Sequence, residues 1–279
     1  MNNQSMLKKY RRQPKLQIDL PSGGTFYPNG ALYDNQHNDI PVFSMTPNDE
    51  IMFKTPDALI NGDATVAVVK SCIPTITDPW SIPTIDIDTV MVAMRIASYG
   101  NTMNVQKVCG ECGSENQYEI PLSKYLESYL TKKFNDKVEI DNFIFHLRPL
   151  SYREFTNGQK KLLGVRRSLN QIITNKDFDE DAKAKAMDPL YVQLAQAQLD
   201  SIYNAIVGIE VDGEIEQSRQ EVVDFFNNND TKYIAKVKAA IENNFKNWSP
   251  PLHKVQCITC SHDEDMKVTL DTSDFFGKG

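Results

Sequence analysis

Two Cys-x-x-Cys pairs, Cys109/Cys112 and Cys257/Cys260, stand at opposite ends of more than half of this 279-residue chain. Each pair follows a valine, is trailed by polar residues, and leads into an alternating segment, QYEIPL after the first and MKVTL after the second. That is one small pattern written twice: strand, cysteine turn, strand. Two such turns facing each other supply four thiolates in the tetrahedral array of a zinc ribbon. The spacing therefore predicts one zinc held by Cys109, Cys112, Cys257 and Cys260. His253 and His262 lie near the second pair and offer alternative ligands, but four thiolates already complete a site with no open position for water. Such a closed site is structural, not catalytic. Ribbon pairs are usually about 15–20 residues apart. Here residues 113–256 intervene, so the middle of the chain reads as an insertion whose ends return to the same place.

Three other readings compete. Redox-active CxxC pairs sit at helix starts, which strand-flanked turns do not provide. Disulfides need an oxidising compartment, whereas the opening MNNQSMLKKYRRQPKL has no apolar stretch to serve as a secretory signal. Unrelated free cysteines would rarely yield two matching turns. The fifth cysteine, Cys72 in VAVVKSCIP, reads as a small buried hydrophobe.

Composition is globular, with 41% hydrophobic and 24% charged residues. No apolar run approaches the roughly 18–20 residues that span a bilayer. A net charge of -7 argues against non-specific nucleic-acid binding. The first knuckle adds to this, because residues 104–122 set one lysine against three glutamates. No P-loop, GxGxxG, HExxH or GxSxG is present, so nothing makes a case for an enzyme or a small-molecule substrate. His37 and His146 are scattered, His146 alternating with Phe145 and Leu147 so as to face solvent. The acidic run at residues 262–266 reads as a solvated hairpin turn.

The expected class is α+β, mainly helical: a split four-cysteine ribbon with a large helical insertion and an extended N-terminal arm. Residues 1–45 form the arm, with basic residues that include Arg11 and Arg12, then the Gly- and Pro-rich IDLPSGGTFYPNG presenting Phe26 and Tyr27. These four residues are the candidate partner contacts, since extended arms gain affinity by ordering on a neighbour. Residues 46–103 hold short helices. Thr46 with Asp49 makes a capping box, Thr55-Pro56 starts a second helix stopped by Gly62, and Asp63 caps a third. A longer helix runs from about Ile87 to Ser98. Residues 104–122 and 253–271 form the split ribbon, and residues 123–252 the insertion. Within the insertion, hairpins turn at Asp141-Asn142 and Asp212-Gly213. Ser151/Glu154 and Ser218/Glu221 cap helices. Residues 175–188 read as a mobile connection before a helix from Pro189 to Val207. A last helix carries Ile234, Val237, Ile241, Phe245 and Trp248 on one stripe.

In their order, LPSGGTFYPNG, MTPNDEIMF, LINGDA, RIASYG and VCGEC resemble the baseplate hub or hub-assembly proteins of T-even-like contractile-tailed phages. HLRPLSYREF and the second knuckle are compatible with that family. The resemblance implies a non-enzymatic virus-encoded protein, made in the host cytoplasm, that contacts other baseplate or hub proteins and belongs to the tail baseplate. The alternative, read from residues alone, is a zinc-ribbon protein associated with nucleic acid through its basic N-terminus.

Overall fold

Residues 10–45, the described part of the N-terminal segment, do not stand off as an arm. In the computed structural model, which describes residues 10–55 and 61–267, β1 (Pro14–Ile18) pairs antiparallel with β2 (Ile40–Phe43). Ile18, Leu20, Ala31, Leu32, Ile40 and Val42 are buried. The glycines and prolines between the strands are used for compact turns rather than for reach. Gly23 and Gly24 take the left-handed region, where glycine has no steric cost. Amide-to-carbonyl bonds from Gly23 to Leu20 and from Tyr27 to Gly24 close successive turns. Residues 1–9, with Lys8 and Lys9, lie outside the described residues, as do most of the helix expected after Thr55 and the last residues of the second ribbon segment.

The segment is tied down by polar groups. The Ser22 amide and hydroxyl donate to the Asp86 carboxylate at 2.8 and 2.6 Å. Asp86 sits in the first turn of α3 (Thr84–Tyr99), preceded by α1 (Pro47–Phe53) and α2 (Asp63–Cys72). The Thr46/Asp49 capping box forms as expected. Gly62, not Asp63, is the N-cap residue of α2. The α3 helix starts earlier than its apolar spacing suggests, directly after Pro83. Residues 89–95 of α3 are buried without a break, as in a helix enclosed by core on all sides. Cys72 is fully buried at the end of α2, and burial pushes its thiol up to about 12.

Burial likewise raises the Asp86 carboxyl to about 6, against the opposing bonds from Ser22. The folded state therefore holds a proton that the unfolded chain has released, from the usual carboxylate range up to about pH 6. This group's contribution is fully present below that range and is lost as pH rises through about 6. Asp86→Asn, which keeps the shape and can keep bonds to Ser22, is expected to remove that slope. Melting temperatures of variant and parent from pH 4 to 7 should converge at the acid end. The parent should fall behind as pH rises; parallel curves would contradict the assignment.

Two units make up the chain, one of residues up to Lys132 together with those from Ser249 onward, the other Lys133–Trp248. The insertion thus begins about ten residues later than the sequence suggested. The reason is α4 (Ser123–Leu130), whose Tyr125 and Tyr129 are fully buried, with the Tyr129 hydroxyl bonded to Asp88 of α3 at 3.0 Å. The chain leaves this first unit at Lys132 and returns beside it, where Lys132 Nζ donates to the Ser249 carbonyl at 2.8 Å.

The second unit contains a four-stranded antiparallel sheet in the order β5 (Lys137–Ile140), β6 (Phe143–Leu147), β7 (Ile206–Val211), β8 (Glu214–Glu216). Between β6 and β7 runs a long helical hairpin, α5 (Tyr152–Thr174) and α6 (Glu180–Asn204), and after β8 come α7 (Arg219–Asn228) and α8 (Thr231–Asn247). Phe145, Leu147, Ile209, Val222 and Val237 form the core. Around Phe145 gather the rings of Phe225, Phe226 and Tyr233 at 5.7–6.3 Å. Reciprocal bonds between Asn135 and Asn244 join the two ends of this unit.

Four expectations need correction here. Residues 175–188 are mostly helix: Asp179 caps α6 through the Ala182 amide at 2.7 Å, and the alanines that follow favour helix. Pro189 lies inside α6, not at its start. Phe245 is half exposed, and Asn244 takes the buried place on α8. His146 does not face solvent freely but bonds Glu210 at 2.7 Å.

Candidate metal centre

The first cysteine loop joins β3 (Thr102–Val108) to β4 (Glu115–Pro121), and the second joins β9 (Leu252–Gln256) to β10 (Asp263–Lys267). Each strand pair is its own two-stranded antiparallel sheet. The two loops have the same backbone. The Cys109 amide donates to the Ser114 carbonyl at 2.9 Å and Gly113 donates back to Cys109 at 3.0 Å. In the second loop, Cys257 donates to His262 at 2.9 Å and Ser261 to Cys257 at 2.9 Å. Gly113 (φ 71°) and Ser261 (φ 59°) hold the equivalent left-handed position. The pattern CGECGS is thus repeated in shape by CITCSH, with serine accepting a conformation that glycine adopts freely.

The loops bring the four sulfurs together. All four Sγ atoms lie within 4.8 Å of one another. Cys109–Cys260 is 3.7 Å and Cys112–Cys257 is 3.6 Å. These separations are too long for S–S bonds, which are about 2.05 Å, and the thiols are free. They match the roughly 3.8 Å edge of a tetrahedron whose metal–sulfur bonds are about 2.3 Å. The donor set therefore fits one tetrahedral thiophilic ion. Cys109 and Cys257 are buried, and Cys112 and Cys260 are at the surface. Neither His253 nor His262 belongs to the cluster; His253 instead stacks on Tyr125 with ring centres 5.0 Å apart.

Polar groups around the sulfurs favour the thiolate that a metal requires. The Ser114 hydroxyl lies 3.3 Å from Cys257 Sγ and 3.0 Å from Cys112 Sγ, and its one proton serves one sulfur at a time. Ser114 is the chief reason Cys257 drops to about 5, with the Cys260 and Thr259 amides adding to it. Ser114 also lowers Cys112. For Cys260 the His262 amide pulls downward, but burial and the bonds from Cys112, Cys257 and Cys109 push the thiol up to about 12. Four thiols this close cannot all ionise without a cation among them.

A further layer locks one hairpin to the other. Asn116 is buried; its Nδ2 reaches the Ser114 carbonyl at 3.0 Å and Cys257 Sγ at 3.5 Å, while its Oδ1 accepts from the Ile258 amide at 2.9 Å. Glu264 accepts from the Gly110 amide at 2.6 Å and pairs with Lys107. A side chain on Gly110 would press on that carboxylate, since a Cβ there would stand 2.9 Å from Glu264 Oε1. Asn116 and Glu264 were not singled out from the sequence. Nothing in GSENQYE distinguishes a buried asparagine from its polar neighbours, and Glu264 reads as one acid among several. Asn116→Ala is expected to weaken metal retention about tenfold or more while leaving the four cysteines in place, as measured by competition with a zinc chelator. Unchanged retention would show that Asn116 only packs.

Of the residues proposed to touch a partner, Arg12 is engaged with its own chain. Its guanidinium donates to the Ser71 carbonyl and hydroxyl at 2.6 and 2.8 Å and lies 3.7 Å from Asp49. The Tyr27 hydroxyl is buried and feels the Asp86 carboxylate, which with burial raises its pKa. Phe26 is half-buried and Arg11 is exposed.

A family model described as "T4 bacteriophage base plate protein" matches residues 43–277, most of the chain and both cysteine hairpins. The chain belongs to this baseplate family. No curated protein and no solved structure matches it. Membership gives the four-sulfur cluster its setting in a phage tail baseplate protein, where a closed metal site would serve to hold shape. Among the described residues no helix is long and apolar enough to cross a membrane.

Proposed function

We propose that this baseplate protein is a non-catalytic part of the central hub, or a factor that assembles it, with one structural zinc on Cys109, Cys112, Cys257 and Cys260. The observation that carries this reading is the closure of the four sulfurs from two hairpins far apart in sequence, in a chain whose family is a tail baseplate family. The zinc fixes two hairpins that are otherwise joined by the polar contacts of Ser114, Asn116, Glu264 and Lys107. A rigid frame of this kind suits a part that must present surfaces to neighbouring baseplate proteins at fixed positions. Its partners are those proteins, and its place is the tail baseplate of the virion after assembly in the host cytoplasm. The runner-up, a nucleic-acid-associated ribbon, gains no support from the charges at the cluster, where Glu264 neutralises Lys107.

Mass spectrometry of purified particles, combined with cryo-electron microscopy of the tail, tests the proposal. A hub component should be present in finished particles with its density on the tail axis. An assembly factor should be absent from particles yet required for hubs to form. Density at the baseplate periphery would count against the hub, and salt-sensitive retention on DNA would favour the runner-up.

A further inference from the structure

The four cage sulfurs are of two kinds. Cys109 and Cys257, the first of each pair, are buried, whereas Cys112 and Cys260, the second of each pair, are exposed. All four lie within 4.8 Å of one another. The two sulfur–sulfur contacts that are short and aligned enough for hydrogen bonding both cross between the hairpins. Cys109 meets Cys260 at 3.7 Å, and Cys112 meets Cys257 at 3.6 Å. Each contact therefore joins an exposed sulfur of one loop to a buried sulfur of the other. In such a pair an oxidant reaches the exposed thiol first and the neighbouring thiol resolves the product.

The surroundings keep these cross pairs facing each other by bonds that need no metal. Gly110, next to Cys109, donates its amide to Glu264 of the second hairpin, and Ile258, next to Cys257, donates its amide to Asn116 of the first. Each buried cysteine is thus flanked by a residue tied to the opposite hairpin. An S–S bond is about 2.05 Å long, so each cross pair has to close by only about 1.6 Å. Approach of the hairpins shortens both pairs together and leaves intact the amide-to-carbonyl bonds that close each loop at Cys109 and Cys257.

We propose that the four cysteines are also an oxidation site: in the metal-free chain, hydrogen peroxide closes the cage with two disulfides, Cys109–Cys260 and Cys112–Cys257, that cross between the hairpins. The inference rests on the reading of the four cysteines as one metal site, and adds how that site responds to loss of its ion. The Cys112 thiolate attacks one oxygen of the peroxide, the O–O bond breaks, and the departing hydroxide leaves as water with the proton the thiol had released. The Cys257 sulfur then attacks the sulfenic sulfur of Cys112. An S–S bond forms, the S–O bond breaks, and hydroxide leaves as water with the proton from Cys257. One peroxide is reduced to two waters while two thiols become one disulfide. A second peroxide does the same at Cys260 and Cys109. Metal and disulfides are then alternative closures of one cage, and either holds the two hairpins together.

The test uses the full chain, stripped of metal by a chelator, freed of the chelator and treated with hydrogen peroxide. Alkylation, pepsin digestion at acid pH, where scarce thiolate prevents exchange, and mass spectrometry then map the links. The chain should lose four of its five titratable thiols and yield peptides joined Cys109–Cys260 and Cys112–Cys257. Cys72, fully buried at the end of α2, should stay reduced. Cys112→Ser should keep the Cys109–Cys260 link alone. Links within a loop, Cys109–Cys112 or Cys257–Cys260, would overturn the proposal. So would scrambled pairs, or oxidation to sulfinic acid without links. Zinc measured before stripping reports separately on the metal assignment: cross-links from a chain that had held none would remove the zinc and leave the oxidation site standing.

Discussion

Replacing Cys109 or Cys257 with serine should release the metal and unfold the two cysteine hairpins, lowering the melting temperature of the unit that contains them. The two positions are equivalent corners of one cage, and each is buried. Losing either leaves three ligands and a polar hydroxyl where a thiolate stood. A metal held there would also close a loop over residues 113–256. In the chain-entropy picture that closure is worth at most about 5 kcal/mol, an upper bound because the folded Lys133–Trp248 unit already shortens the loop. Cys72→Ser, remote from both hairpins, should cost some stability in its buried site but leave metal content unchanged. Metal content and thermal unfolding measured on the three variants together separate the cage from the core. Full metal retention by Cys109→Ser would contradict the four-ligand assignment.

The second large effect is expected at Phe145. Its ring is fully buried at the centre of the second unit and touches aromatic rings from both α7 and α8. Truncation of such a residue costs about 3–5 kcal/mol, a large share of the stability of a domain of this size. Phe145→Ala should therefore expose residues 133–248 to proteolysis early while the proposed metal is retained, because all four clustered cysteines lie in the other unit. Limited proteolysis followed by metal analysis of the surviving fragment reads both parts. Loss of metal in step with cleavage of the insertion would show that the two units do not fold separately.

The cysteine pairs made the site legible before any coordinates, because repeated CxxC turns between strands have few other uses. The helix starts at Thr46 and Ser151 were equally plain, since a capping box is a local code. What stayed hidden depended on partners distant in sequence. LPSGGTFYPNG has the composition of a free arm, and only the burial of Asp86 against Ser22 shows why it is folded in. Residues 175–188 look like a linker by charge, yet Asp179 and the alanines after it make a helix that runs through Pro189. Asn244 displaced Phe245 from the buried side of α8 because its side chain serves the backbone of Asn135, a bond that hydrophobic spacing cannot show. The matched turns of Gly113 and Ser261 were half visible: glycine signals the conformation and serine conceals it.

One measurement bears most directly on the central claim: elemental analysis of the full chain purified without added metal, paired with titration of its thiols in the native state. Cysteines in a closed zinc cage neither lose the ion to dilution nor react quickly. The expected result is about one zinc per chain, with the four cage thiols becoming reactive only after chelation or denaturation. A zinc-to-chain ratio near zero, with Cys109, Cys112, Cys257 and Cys260 all freely titratable in the folded protein, would contradict it.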